Sequence, residues 1–185
     1  MLHRIGQLEK IWPHFNLYPL SSIDLLCLAE KRIGIVCLSD SNLSYGFAFR
    51  ANHRHKAEWC IAYNSNLSET EKILVLGHEI GHHFLTHWNH APVLGFSKQS
   101  LFATEGIEKD ASLFGLLSLI PTPTVMQLAL ANRLDPEALM HRHEWMDTDK
   151  AFAYRLCKAR VRVFRSYVDA LRKRTGLPFH RLESL

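Results

Sequence analysis

The chain has 185 residues, with 22 Lys and Arg against 18 Asp and Glu, a formal charge of +4 and 47% hydrophobic residues. That is a globular composition, long enough for one domain with a small appendage. No apolar run approaches the roughly 20 residues that cross a bilayer, which excludes a helical span, and no membrane partner is expected.

Residues 1–20 are expected to form a short helix, then a loop around Trp12-Pro13 and Tyr18-Pro19. Ser21 or Ser22 can cap a helix through about Lys31, with Ile23, Leu26, Leu28 and Ala29 on its apolar side. Three strands follow. Ile33 to Leu38 is an apolar run suited to a buried strand. Leu43, Tyr45, Phe47 and Phe49 alternate with Ser44, Gly46, Ala48 and Arg50 at the period of two. Ala57 to Tyr63 sets Trp59, Ile61 and Tyr63 on one face. Asp40-Ser41-Asn42 supplies the first turn, and His53-Arg54-His55 an exposed tip before the third strand. A strand beside a helix can take up an extended peptide by adding it to the sheet, and order along the chain leaves open which edge does so.

Ser68 with Glu71 three residues later forms a capping box, opening a helix to about His87. Ile73, Leu76, Gly77, Ile80 and Phe84 make one apolar face, and Leu74, Val75 and Leu85 extend it, so the helix is expected to be buried. His78-Glu79-Ile80-Gly81-His82 lies inside it. Imidazoles four residues apart on a helix can reach one metal ion, and Glu79 then falls beside the ion's open position. That pattern points to two His ligands on Zn²⁺, with a carboxylate as general base toward a zinc-activated water. His83, His87 and His90 read as supporting or surface groups, not ligands.

Trp88 to Glu105 has little periodicity and reads as a connector bordering the cleft. A second helix follows from Glu108 to Pro121, with Ile107, Ala111, Phe114 and Ser118 on one stripe. A catalytic zinc usually takes three protein ligands. Glu108 and Asp110 both compete for the third place, and either could be an ordinary acid in a helix's first turn.

The pairing of HEIGHHFLTH with a later E-x-x-A-[SN]-x-F-[AG]-x(5)-P resembles the ImmA/IrrE metallopeptidases, regulators of bacteria and their mobile elements. The match stands at His78, Glu79, Gly81, His82, Glu108, Ala111, Ser112, Phe114, Ile120 and Pro121, and covers about residues 22–125. Gly115 stands where Ala is usual, and Ser118-Leu119-Ile120 where Leu-Leu-Met is common. The resemblance implies one catalytic zinc held by His78, His82 and Glu108, with Glu79 as general base. It also implies an endopeptidase acting on a helix-turn-helix transcriptional repressor.

Thr122 and Pro123 begin another helix, and Pro136 starts one inside the polar tract from Asp135 to Lys150. Thr148 to Leu156 is similar to the family's small C-terminal helical region, with Arg155-Leu156 as the recurring pair. From Arg155 to Arg174, eight of twenty residues are Lys or Arg, with Asp169 the single acid. Cys157, Val161, Phe164, Val168 and Leu171 give this segment an apolar stripe, hence an amphipathic helix with a basic face. A solvated face is the plainer reading; nucleic-acid contact through Arg160, Arg162 and Arg165 is the alternative.

The expected architecture is α+β: a small three-stranded sheet packed on a central zinc helix, with a mainly helical C-terminal half. A zincin-like domain over residues 1–125 would precede a helical region over 126–185. Met1 to Gly6 shows no apolar h-region, and Cys27, Cys37, Cys60 and Cys157 show no disulfide-like spacing, so free thiols in the cytoplasm are expected. Tyr63, His141, His143 and Tyr154 are the residue types that could add a second donor to an oxyanion. The rival function is a non-catalytic zinc-containing module that controls a DNA-binding partner by contact. Glu79 argues against it, because a structural zinc has no use for that carboxylate.

Overall fold

Ser21 and Asp24 close a capping box, with the Asp24 amide donating to Ser21 Oγ at 3.2 Å and the Ser21 amide to Asp24 Oδ2 at 2.9 Å. Helix α1 (Ser22–Cys27) starts there and runs into a π-helical turn, Leu28–Ile33, which ends at Gly34 with φ 75°. These details come from a computed structural model that describes residue 12 and residues 15–53, 56–87, 93–97, 99–102, 106–143, 145 and 148–175. The expected N-terminal helix, Arg54, His55 and His90 lie outside the described residues. The chain divides into two compact units, Met1–Pro121 and Thr122–Leu185.

The first unit holds strands β1 (Val36–Ser39), β2 (Gly46–His53), β3 (Lys56–Tyr63) and β4 (Val93–Phe96). Their order is β1-β3-β2-β4, with β1 parallel to β3 and β2 antiparallel to both β3 and β4. The α+β class and the three expected strands are present. The Asn42 amide donates to Asp40 Oδ1 at 2.8 Å in the turn between β1 and β2. β4 comes from the segment expected to be a connector, where four residues are too few to set up a readable alternation.

One expectation changes, and the sheet edges are settled. β1 is an edge strand, and its alternation leaves Val36 and Leu38 40% and 46% exposed, so it is not buried on both faces. β3 is interior, paired on both sides, so its backbone has no free edge for a peptide. Among the described residues, the edges belong to β1 and β4.

Helix α2 (Glu69–Phe84) is capped as expected, with the Glu71 amide donating to Ser68 Oγ at 3.3 Å. The Glu69 carboxylate accepts from the Ser22 amide at 2.7 Å and from Ser22 Oγ at 2.9 Å, tying α1 to the start of α2. α2 lies between the sheet and helix α3 (Gly106–Leu119), and everything from Ile73 to His82 is buried. Small residues set the spacing between the two helices. A Cβ on Gly81 would meet the Ala111 carbonyl oxygen at 2.8 Å, and one on Gly115 the Leu74 carbonyl oxygen at 2.8 Å.

The second unit consists of α4 (Thr122–Leu130), α5 (Pro136–Arg142) and α6 (Lys150–Thr175) among the described residues. Asp135 caps α5 by accepting from the Ala138 amide at 2.7 Å, with Pro136 as the first helical residue. Cys157, Val161 and Phe164 of the expected α6 stripe are buried. Arg160 is buried with them, at 2% exposure, because it shares their side of the helix; it donates to Thr122 Oγ1 at 2.9 Å. Its place among nucleic-acid contacts is therefore withdrawn, while Arg162 and Arg165 are exposed. No single helix among the described residues is long and apolar enough to cross a membrane.

Candidate metal centre

One turn apart on α2, His78 and His82 bring their Nε2 atoms to 2.9 Å of one another, and both side chains are fully buried. Glu108, in the first turn of α3, reaches them because the two helices pack closely. Its Oε2 lies 3.2 Å from His78 Nε2 and its Oε1 3.5 Å from His82 Nε2. The three residues offer ligand atoms that all lie within 4.8 Å of one another. Donors around a tetrahedral ion with bonds of about 2.0–2.1 Å stand about 3.3 Å apart. The observed separations bracket that spacing, so the side chains fit one ion. Asp110 is not in the group, since two residues further on it lies about 200° round the helix from Glu108.

The charge states agree with the geometry. The close approach of His78 and then His82 holds the Glu108 carboxyl well below its usual range, against an opposing effect of burial, although Oε2 does not reach hydrogen-bonding geometry. Burial lowers the His78 pKa, and its contact with Glu108 pulls the other way. A neutral imidazole and an ionised carboxylate are the forms a cation needs. The rings are also held from behind. His78 Nδ1 lies 3.0 Å from Ser112 Oγ, and His82 Nδ1 lies 2.9 Å from His87 Nδ1.

Glu79 is 1% exposed, and neither carboxylate oxygen has a hydrogen-bond partner among the described residues. Burial first, then the charge of Glu108, raises its pKa well above the ordinary value. The backbone at Ala48 and Phe96 opposes this without reaching hydrogen-bonding geometry. Phe96 of β4 also sets its ring edge-on to His78, with centroids 5.2 Å apart, so the β4 edge borders the centre.

The structure thus brings together His78, Glu79, His82 and Glu108. His83 is half-buried beside them, and burial lowers its pKa to about 4. Tyr63 has its pKa raised by burial and by Cys37 and Glu30, which are its electrostatic neighbours. His141, His143 and Tyr154 belong to the other compact unit. The four cysteines are free, and burial pushes Cys37 and Cys157 up to about 12, which makes them poor nucleophiles.

Ser112 has no supporting position in the reading of the sequence, and His87 is read there as a supporting or surface group with no partner named. Ser112 was findable, because it follows Glu108 by four residues and shares its helix face. The pairing of His87 with His82 was not, because five residues after His82 a continuous helix would carry it about 140° away.

A family model, Peptidase_M78 (IrrE N-terminal-like domain), matches residues 30–156. No curated protein matches the chain.

Proposed function

The chain belongs to the Peptidase_M78 family, and we propose from that premise that it is a zinc-dependent endopeptidase acting in the cytoplasm on one specific protein. Its best candidate substrate is a helix-turn-helix repressor, whose removal would switch on the genes it silences, such as those of a mobile element. The observation that carries the peptidase reading is Glu79, a buried carboxylate without a hydrogen-bond partner among the described residues, next to a site suited to a cation. Burying a carboxylate with no partner is costly, and catalysis gives a reason to retain it.

His78, His82 and Glu108 would hold the ion. When bound, zinc supplies Lewis acidity, polarising a substrate carbonyl and acidifying water. Glu79 takes a proton from the attacking water on one of its carboxylate oxygens and returns it to the leaving amine. Burial raises its pKa above the ordinary carboxylate range, which favours holding the proton between the two halves of that transfer. A cation alongside would draw this pKa back down. The substrate binds as an extended segment along the β4 edge, where backbone pairing supplies affinity next to Phe96.

The test is a substrate trap. Glu79→Gln keeps the metal ligands and the β4 edge but loses the base. Wild type and variant are expressed in the native host, and co-purifying proteins are identified by mass spectrometry. A DNA-binding regulator enriched intact on the variant and shortened with wild type supports the reading. Equal retention of one full-length partner by both forms would favour regulation by contact.

A further inference from the structure

We infer that His87 is a positioning residue for the metal centre, fixing the tautomer and ring orientation of His82 so that His82 Nε2 presents its lone pair to the ion. This rests on the metal-centre reading above. The two Nδ1 atoms are 2.9 Å apart, the ring centroids 5.0 Å apart, and both side chains are buried. At that distance a proton lies between the nitrogens, and one of them must be the acceptor. If His82 ligates through Nε2, its proton sits on Nδ1, and His87 Nδ1 accepts it. His87 is then the neutral tautomer protonated at Nε2.

The contact depends on a local reversal of the chain. α2 ends at Phe84; the Leu85 amide still donates to the Gly81 carbonyl at 3.0 Å, and the Thr86 amide to the His83 carbonyl at 3.1 Å. Thr86 then takes φ 59°, in the left-handed region that β-branched residues rarely enter. Thr86 Oγ1 donates to the Leu85 carbonyl at 2.6 Å, within the same turn. This turn returns the His87 ring to the helix face it would otherwise have left, directly behind His82.

The chemistry of the partner also matters. Metal-bound histidines usually donate their second N–H to a carboxylate, a backbone carbonyl or water. An imidazole acceptor orients the ring without adding negative charge, so Glu108 remains the anionic member of the ligand set. Ser112 behind His78 is the corresponding contact, with a hydroxyl in place of a ring nitrogen.

The test uses the full chain as wild type, His87→Leu and His87→Asn. Leucine fills the space without an acceptor, whereas asparagine restores an acceptor near the Nδ1 position. Zn²⁺ affinity is read by competition with a chromophoric chelator at one pH, and ligand geometry by the visible spectrum of the Co²⁺-substituted protein. Circular dichroism and melting of the metal-free forms check folding. His87→Leu should bind Zn²⁺ about 10- to 100-fold more weakly, with an altered Co²⁺ spectrum, and His87→Asn should recover most of both. In the zinc-loaded wild type, nitrogen NMR should show His87 protonated at Nε2 with its Nδ1 as acceptor, a readout that does not depend on either variant folding. Wild-type affinity and spectrum in a folded His87→Leu, or a His87 proton on Nδ1, would overturn the inference alone. A wild type that binds neither metal would overturn the metal-centre reading and this one with it.

Discussion

A Cβ on Gly77 would stand 2.7 Å from the Gly115 Cα, so α2 and α3 meet there backbone to backbone. This close approach lets the short side chain of Glu108 reach imidazoles on the neighbouring helix. Gly77→Ala should therefore lower stability by about 1–3 kcal/mol, the usual cost of overpacking, and also weaken Zn²⁺ binding by moving Glu108. A denaturant midpoint that falls at constant slope, together with chelator competition, checks both effects. An unchanged midpoint would mean that the helices can part at little cost.

Metal removal should destabilise the folded chain. A ligand at a hundred times its Kd adds about 2.7 kcal/mol to the stability of the state that binds it. Melting with Zn²⁺ and then with chelator should show a reversible fall in Tm for wild type. His82→Ala should show almost no zinc-dependent shift. Equal shifts in the two proteins would place the zinc elsewhere.

Glu79 gives the metal-free protein a defined pH dependence. Its folded pKa is raised above the ordinary 4.5 by burial and by Glu108. The unfolded chain therefore loses this proton first as pH rises, and stability falls from about pH 4.5 upward until the folded group also ionises. Glu79→Gln removes this loss. The variant should match wild type at low pH and become more stable than it as pH rises. Melting across that range in chelator is the measurement, and a constant gap at every pH would refute the assignment.

Arg160 and Arg162 are two residues apart in sequence but should behave differently. Arg160 is buried at 2% exposure, and burial lowers its pKa to about 10, whereas Arg162 is exposed. Arg160→Ala should cost about 2–5 kcal/mol, as other large-to-small changes in a core do. Arg162→Ala should stay within about 0.5 kcal/mol. Parallel denaturation curves decide this, and equal effects would contradict the burial.

Much of the centre was readable from local rules. Ser68 and Glu71 mark the start of α2, and the spacing of His78 and His82 places both imidazoles on one face of it. From the residues alone, however, Glu108 and Asp110 remained rivals. The choice between them depends on how α3 is rotated against α2, and on Gly81, Gly115 and Ala111 permitting the approach. β4 was hidden because a four-residue strand is recognised by its pairing with β2 and not by its own pattern.

Caps, spacing and hydrophobic period act within a few residues, so the candidate ligand types, the helix that carries two of them, the adjoining carboxylate and the α+β class were legible along the chain. That β3 is interior and β4 an edge, that Arg160 is buried, and that His87 stands behind His82 came from long-range packing. Each of these depends on residues distant along the chain or on a backbone reversal such as Thr86, where packing and not local propensity sets the geometry.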